Sequence, residues 1–343
     1  MKKTLLLILI SCTLAYRATG QSTCTQTLRT ARATYDQGRL HELPLLLDDC
    51  LSNGFTDQEK VEAYKLLTLA YIYLEEPKKA DETMLKLLNT DHYFEINTST
   101  DPAEFVALYK TFRTKPIFRL GGKIGANASQ PNVLEAVEAN NGKSEYKYGV
   151  GVQFHVNAEI PIKKNIIINP ELGIQQKNFG YKNTVTFTDS SFNTTATEKQ
   201  TWISLPISVQ YELSSVKFHP YVSLGIQGDY LLNSSISGRR QRKGYQLIED
   251  KSFDVKAQRE KINLSVIAAA GAHIKLGGGF IIAEVRFTYG LTKLNSKATG
   301  YDIDNNLTFQ YGYADSIFKL NSLSVTAGYV YNIFKPKKLR NRK

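Results

Sequence analysis

The sequence lacks any uncharged apolar run of 18 or more residues, and its mean hydropathy is −0.29. A bundle of transmembrane helices is therefore excluded. Tryptophan occurs once, methionine twice, proline ten times and glycine 23 times, which excludes a collagen-like or broadly disordered chain. The 20 tyrosines and 16 phenylalanines, by contrast, give an aromatic-rich balance that favours β-strands over helical bundles.

The body of the chain has little charge of one sign, although the formal net charge of the whole chain is +11. Residues 1–20 contribute three basic groups and no acid, and residues 335–343 contribute six basic groups. This leaves +2 for all the residues between them. A basic body that binds nucleic acid is therefore not expected.

Residues 1–20 have the pattern of a secretory signal peptide. A pair of lysines precedes the apolar run 5–10, and small residues follow at 18–20. We expect cleavage after Gly20 and export of the remaining chain. The alternative is a lipoprotein signal, because the residues that end at Cys12 have lipobox-like spacing.

Only three cysteines are present, and cleavage after Gly20 removes Cys12. The other two, Cys24 and Cys50, lie in the first predicted helical hairpin. In an oxidising periplasm this pair predicts a disulfide. A redox or metal pair is disfavoured, because a spacing of 26 residues matches no redox motif.

Residues 21–113 are predicted to form a helical domain. Apolar residues recur at helical spacing over 61–75, and the preceding Thr56 to Glu59 is a predicted N-terminal cap. The sequence Glu-Glu-Pro that ends at Pro77 is predicted to stop this helix.

The helical stretch 63–74, followed by Ala80, resembles one tetratricopeptide repeat (TPR). The prediction is therefore a TPR-like domain, whose helices either pack only on one another or offer a groove to a protein partner. The predicted partner contacts are exposed helix positions at Tyr64, Tyr71 and Lys78.

Beyond the linker 114–116 the period of the apolar residues changes to two. Eight segments alternate, and seven of them exceed ten residues. A strand of a soluble protein usually has about five or six residues, whereas a tilted transmembrane strand needs about 9–11. The segments are 117–126, 146–160, 166–178, 200–213, 217–230, 262–276, 280–290 and 320–334.

The connections between these segments alternate between long and short. The long ones are 127–145, 179–199, 231–261 and 291–319, and the short ones are 161–165, 214–216 and 277–279. Long loops on one rim and tight turns on the other are typical of an outer-membrane barrel. An even number of strands places both ends of the barrel on the turn side, which is periplasmic.

The predicted fold is thus α+β with two domains: an N-terminal α-helical, TPR-like domain and an eight-stranded antiparallel transmembrane β-barrel over 117–334. A soluble barrel or sandwich is the alternative. Because both ends lie on the periplasmic side, the helical domain and the basic tail 335–343 are expected in the periplasm. Attraction of this tail to peptidoglycan, anionic lipid or an acidic partner is plausible on its charge alone.

Three stretches resemble strands of PorT-like outer-membrane barrel proteins, namely Trp202–Val209, Pro220–Ile226 and Arg286–Leu291. The resemblance covers about residues 117–334. It implies an integral outer-membrane protein, which in some members of that family is associated with a system that exports proteins across the outer membrane.

Nine charged side chains point into the barrel if the alternation is taken literally. An eight-stranded barrel is only wide enough for side chains to fill it, and unpaired charges there would be costly. Paired networks that plug the lumen are therefore predicted, with a proton or solute path along them as the alternative. The predicted lumen charges are Arg119, Lys123, Glu159, Glu171, Glu212, Asp229, Lys275, Glu284 and Arg286.

His155 and His273 also face inward in this register, where Glu159 or Glu212 would allow acid–base chemistry. The sequence contains no G-x-S-x-G nucleophile motif, no cluster with zinc spacing and no glycine-rich phosphate loop at the start of a helix. No catalytic, metal-binding or cofactor-binding residue is therefore predicted, and the chain is predicted not to be an enzyme.

The third long loop contains a cluster of basic residues. On the outer face these residues would contact anionic lipopolysaccharide or an extracellular partner, or would form an ordinary solvated loop. The residues are Arg239, Arg240, Arg242 and Lys243.

The predicted function is a non-enzymatic anchor or scaffold that holds a periplasmic or outer-membrane protein partner, accessory to protein secretion or envelope assembly. Outer-membrane lipid is the second expected partner, and neither nucleic acid nor a cofactor is expected. The alternatives are a narrow pore, an outer-membrane hydrolase, and surface adhesion through the long loops 231–261 and 291–319.

Overall fold

The computed structural model describes residues 23–137, 143–163, 165–187, 190–213, 218–242, 248–295 and 303–339. The chain divides into two compact units. The helical unit comprises Met1–Pro116 together with Phe334–Lys343, and the barrel unit comprises Ile117–Ile333. The predicted signal peptide, with the alternative lipidation at Cys12, lies outside the described residues.

The helical unit contains five α-helices in its described part, and none of the described helices is long and apolar enough to cross a membrane. Helix α1 covers residues 23–36, and a 3-10 turn at Leu40–Glu42 leads into the next helix. The others are α2 (Leu43–Asn53), α3 (Asp57–Tyr73), α4 (Pro77–Thr90) and α5 (Ala103–Lys110).

Helix α3 begins at a capping box, as its sequence predicts. The hydroxyl of Thr56 accepts a hydrogen bond from the backbone N–H of Glu59, and the Glu59 carboxylate accepts one from the N–H of Thr56 at 2.9 Å. The helix ends at Tyr73, and Glu75 then takes a left-handed backbone conformation with φ 56°. Pro77 starts α4, where its missing N–H costs no helical hydrogen bond.

A disulfide between Cys24 and Cys50 joins α1 to α2, with their Cα atoms 5.6 Å apart. It lies in an apolar core that also contains Leu43, Leu47 and Ala63, all fully buried. A second core lies between α3, α4 and α5. In it the hydroxyls of Thr68 and Thr83 share a buried hydrogen bond of 3.1 Å.

Replacing both Cys24 and Cys50 by serine is expected to lower the free energy of unfolding of the helical unit by about 3 kcal/mol. The reason is that the disulfide restricts the unfolded chain, and this restriction is lost in the variant. Thermal unfolding of the purified protein, followed by circular dichroism of the helices, measures this change. Wild-type protein in reducing agent is the matched control and should show the same loss. An unchanged melting curve in both samples would contradict the prediction.

Residues 334–339 complete the helical unit from the other end of the chain. The Phe334 ring packs between His92 and Tyr93, with ring centroids 5.2 and 5.0 Å away. The tail then runs antiparallel to the segment 111–113, since Arg113 N–H donates to Lys337 O at 2.9 Å and Leu339 N–H donates to Thr111 O at 2.8 Å. The described part of the basic tail is therefore docked and is not a free polybasic segment.

The barrel unit consists of a closed antiparallel ring of eight long strands, which confirms the predicted ring. Each strand pairs with its neighbours along the chain, and β1 pairs with β9 to close the ring. The ring strands are β1 (Phe118–Glu135), β2 (Lys143–Lys163), β3 (Ile166–Phe187), β4 (Ser190–Glu212), β5 (Phe218–Arg242), β7 (Ile262–Leu276), β8 (Gly279–Gly290) and β9 (Ile317–Ile333). The short β6 (Ile248–Asp254) pairs with the end of β5 and lies outside the ring.

Large apolar side chains cover the outward faces of the ring strands. Ile124 and Leu224, for example, are 67% and 68% exposed, and similar residues occur on every ring strand. A continuous apolar surface of this size in water would drive aggregation, whereas in a bilayer it contacts lipid. We refer to it as the lipid belt.

The long connections predicted at 179–199 and 231–261 are wrong in large part, because the strands continue through them. Strands β3 and β4 stay paired as far as Phe187 and Ser190, and β5 extends to Arg242. Beyond the lipid belt the outward face has no need to be apolar. The period of two therefore disappears from the sequence while the hydrogen-bonded ladder continues.

Candidate functional site

The barrel interior, formed by the inward faces of the ring strands, is the candidate site. Buried polar and charged side chains fill the described interior in groups that follow one another along the strands. We call the rim with the short connections the turn rim and the opposite one the loop rim.

The group nearest the turn rim joins Arg119, Glu159, Glu212 and His273. Arg119 Nη1 lies 3.1 Å from an oxygen of each glutamate. His273 lies between the same two carboxylates, with Nδ1 2.8 Å from Glu212 and Nε2 2.9 Å from Glu159. Carboxylates only accept hydrogen bonds, so both ring nitrogens have to donate. With His273 in that form, two cations face two anions.

The middle group joins Lys123, Glu171, Glu284 and Arg286. Arg286 binds the Glu171 carboxylate with both terminal nitrogens, at 2.5 and 3.1 Å, and contacts Glu284 at 2.7 Å. Lys123 Nζ lies 2.8 Å from Glu171 and 3.4 Å from Glu284. Tyr221 donates its hydroxyl to Glu284 at 2.8 Å. Two cations again face two anions.

A third, smaller group lies closer to the loop rim. Lys177 Nζ is 2.9 Å from Asp229 Oδ2, and the amides of Gln227 and Asn263 donate to the same carboxylate at 2.7 and 3.0 Å. The Lys177 ammonium also lies over the ring of Trp202, 5.6 Å from its centroid. The charges of Lys177 and Asp229 therefore balance each other.

The last group lies beyond the lipid belt and joins Arg259, Glu198 and Asp315. Arg259 binds Glu198 at 2.6 and 2.8 Å and Asp315 at 2.5 and 3.1 Å, and its side chain is fully buried. Tyr313 donates its hydroxyl to Asp315 at 3.1 Å. Burial raises the pKa of Asp315 above its usual value, against the opposing effect of Arg259. One cation therefore holds two carboxyl groups together.

Aromatic and aliphatic side chains cover the loop rim above Arg259. Tyr181 and Tyr313 pack edge to face at 4.6 Å, in a cluster with Phe253 and Val255. The short helix α6 (Asn305–Phe309) contributes the fully buried Leu307. We call this apolar cluster the loop cap. It covers the polar interior with side chains drawn from strands and connections alike.

Eight of the nine predicted lumen charges lie in the first three groups. Lys275 is the exception: it keeps the inward parity of β7 but is exposed next to the turn after Leu276. Alternation gives the face of a strand and not the depth along it, so the assignment of Lys275 to the network is wrong. His155 is buried in the interior and contacts the Gln175 amide at 3.0 Å.

Four further charged residues of the interior are not predicted by the sequence pattern, namely Lys177, Glu198, Arg259 and Asp315. Lys177 has the inward parity of β3, next to Gln175, and this signal was available. Glu198 was assigned to a loop, although β4 extends through it. Arg259 and Asp315 lie in connections without any period, so no pattern in the sequence marks them.

Acid–base catalysis at His273 is not supported, because both of its ring nitrogens contact carboxylates and neither is left to activate a nucleophile. Among the described residues, no group of histidine, cysteine or acidic side chains has an arrangement that could hold a metal ion.

Three of the four residues of the predicted outer basic cluster belong to strand β5. Arg240 donates to Gln310 O at 3.0 Å and lies over the Phe192 ring at 4.7 Å, so its charge is engaged within the loop rim. Arg239 is exposed at the end of the strand, and Arg242 is the last residue of β5. Lys243 lies outside the described residues.

The predicted partner contacts in the helical unit are only partly exposed. Tyr64 and Tyr71 pack against the core around the disulfide and are half-buried, which corrects their prediction as exposed positions. The apolar stripe of α3 is wider than the spacing suggested, because both α2 and α4 pack on it. Lys78 is exposed at the start of α4.

Comparisons with known proteins agree with this architecture. Residues 114–296, just over half of the chain, match the family described as outer membrane protein beta-barrel domain. No curated protein matches the sequence.

Solved structures with a similar arrangement of strands include the Neisserial surface protein A, at 12% identity, covering 62% of this chain and 97% of that one with a TM-score of 0.31. The attachment invasion locus protein Ail of Yersinia pestis has 12% identity, covers 62% and 99%, and has a TM-score of 0.29. The outer membrane protease OmpT of Escherichia coli has 13% identity, covers 63% and 97%, and also has a TM-score of 0.29. The match to the family, together with the closed ring and its lipid belt, leads to one conclusion: the chain belongs to the outer-membrane β-barrel family and is a protein of the outer membrane.

Proposed function

We propose that the protein is a non-enzymatic anchor, in which the barrel fixes the helical unit to the outer membrane and the helical unit holds a protein partner. The observation that carries this proposal is the filled barrel interior. Its charges pair with one another in the three groups within the ring, and the loop cap covers the Arg259 group. The barrel is thus built for stability, and binding is left to the surfaces outside the lumen.

The strand count supports a periplasmic location for the helical unit. With eight strands in the ring, the residues before β1 and after β9 leave the barrel at the turn rim. In barrels of this kind short turns face the periplasm and longer loops face outward. The helical unit and its docked tail are therefore proposed to lie in the periplasm, where the disulfide is also chemically reasonable.

The helical unit is proposed to be TPR-like, with α3 and α4 as its characteristic pair. The resemblance of residues 63–74 supports this, as does the packing of α3 on α4 through Thr68 and Thr83. The resemblance of three barrel strands to PorT-like proteins supports a role beside a protein-secretion or envelope-assembly machine. Both are proposals about this chain.

Site-specific photocrosslinking tests the anchor role in intact cells. A photoreactive phenylalanine at the exposed position Lys78 should yield a discrete protein adduct. The matched control is the same residue at Val150, which lies on the lipid belt and is 62% exposed. Full-length protein is used throughout, because residues 334–339 belong to the helical unit. The absence of any protein adduct at Lys78 and at neighbouring helical positions would contradict the proposal.

The reconstituted protein is expected to give no conductance steps above those of an empty bilayer, because the charged groups occupy the lumen and the loop cap covers its outer end. Planar-bilayer recording measures this directly, with a porin prepared in parallel as the positive control. Discrete steps from the wild-type protein would favour the narrow pore and would weaken the argument for a purely anchoring barrel.

A further inference from the structure

The helical unit contains a groove of about 360 Å³ between the end of α3, the start of α4 and α5. Apolar side chains line its floor, among them Ile72, Ala107 and Leu108. All the lining residues belong to the helical unit, and the volume is within the range of sites that bind a few side chains of a ligand.

The rim of the groove is acidic. Glu75, Asp81 and Glu104 line it, against the single lysine Lys338. Glu75 and Glu104 are exposed, and neither forms an ion pair with another residue in the part of the chain that the structure describes. Of the two bases that follow Pro77 in α4, Lys78 is exposed, and Lys79 is paired with Glu76 at 2.5 Å and lies over the Tyr71 ring.

Lys338 shows how this groove receives a basic side chain. Its backbone is held by the antiparallel pairing of the tail with Phe112, and its ammonium forms an ion pair with Asp81 Oδ2. The other carboxylate oxygen of Asp81, Oδ1, is buried and accepts no hydrogen bond from any described residue.

We propose that the groove binds an extended peptide segment of the protein partner, with an apolar side chain on the floor and a lysine or arginine on each flank. This inference rests on the proposed function, since it gives the chemistry of the partner that the helical unit would hold. Charge complementarity selects the occupant: the acidic rim attracts a basic segment and repels an acidic one of the same shape.

Peptide binding to the full-length protein in phosphatidylcholine nanodiscs tests the proposal. The probe is a fluorescein-labelled heptapeptide with Lys-Leu-Lys at its centre and Gly and Ser on both sides. The comparison peptide has Glu-Leu-Glu at its centre. Fluorescence anisotropy, corrected for empty nanodiscs, should show at least tenfold tighter binding of the basic peptide, and this difference should shrink as salt is added.

Two variants locate the binding. Glu75→Lys combined with Glu104→Lys reverses the rim charge, and Ala107→Trp fills the floor; each should weaken the basic peptide at least tenfold. Asp49→Lys combined with Glu95→Lys makes the same charge change at two exposed positions that do not line the groove, and it should stay within twofold of wild type. Circular dichroism confirms that each variant is folded.

Equal binding of both peptides, no binding of either, or unchanged binding in the folded groove variants would overturn the inference. These outcomes are separate from failure of the anchor role. If a crosslinked partner forms at Lys78 but the groove variants bind the peptide like wild type, the anchor role stands and the groove is wrong. If the peptide binds at the groove but no cellular partner crosslinks, the groove chemistry stands and the anchor role fails.

Discussion

Replacing Arg286 by methionine is expected to lower the free energy of unfolding of the barrel by about 3–5 kcal/mol. Arg286 makes the bidentate contact with Glu171 and also meets Glu284, deep in the interior. Without it, Lys123 is the one cation left in this group to balance two buried carboxylates. The cost comes from the charge left uncompensated in a space that water does not freely enter, and it is larger than the value of any one hydrogen bond.

Urea unfolding in lipid vesicles measures this loss, with the fluorescence of the single tryptophan, the buried Trp202, as the signal. Lys275→Met is the matched control: Lys275 shares the inward parity but is exposed, so its loss should stay within about 0.5 kcal/mol. Adding Glu284→Gln to Arg286→Met restores one cation facing one anion and should recover at least half of the loss. A double variant no more stable than the single one would show that charge balance does not govern this interior.

Replacing Arg259 by methionine is expected to open the loop cap at neutral pH, at a local cost of about 3–5 kcal/mol. Arg259 is the one base among the described contacts of Glu198 and Asp315, and both carboxyl groups are buried. Its removal would bring two like charges together under an apolar cover. The ring below should stay intact, because its three groups are balanced without Arg259.

Amide hydrogen exchange over residues 303–318 detects this opening. Lowering the pH should partly close the loop cap again. The pKa of Asp315 is raised by burial, and the loss of Arg259 removes the group that opposes this shift. A raised carboxyl pKa means that the folded cap binds the proton more tightly than the unfolded segment does. The stability that Asp315 contributes is therefore present when the pH is near 3.8, the ordinary pKa of this group. It is lost as the pH rises through the raised pKa.

Lys199→Met is the control for the Arg259 experiment, because Lys199 is exposed on β4 next to Glu198, and it should exchange like wild type. Two results for Arg259→Met would contradict the assigned role of Arg259. One is an exchange rate equal to that of wild type at pH 7. The other is an exchange rate that, after correction for the intrinsic rate, does not fall between pH 7 and pH 4.

Within the lipid belt, the barrel was predictable because its outward face contacts lipid and its inward face contacts other polar side chains. Lipid requires Val150 and Leu224 to be apolar, and the narrow interior requires Glu171 and Arg286 to be paired. The period of two therefore carries the fold and most of the interior charges. Beyond the belt the outward face is polar and the inward face is mixed, so the strands around Thr194 and Arg239 are held by backbone pairing that leaves no such pattern.

The parts that sequence reasoning missed depend on contacts between distant residues. Glu198 and Arg259 are 61 positions apart, and Arg259 and Asp315 are 56 apart. The burial of Tyr64 and Tyr71 could not be predicted without knowing how many helices pack on α3. The position of residues 335–339 was equally hidden, because their composition indicates a free basic tail while their backbone pairs with residues 111–113.

The docked tail has a consequence for the order of synthesis and folding. The helical unit combines residues that precede the barrel strands with residues that follow them, so all the barrel strands are synthesised between its two parts. Helices α1 to α5 are therefore synthesised before Phe334, and the surface at His92 and Tyr93 lacks the ring that covers it until β9 has been made. A chain interrupted within the barrel strands would carry a helical unit that is still open at this surface.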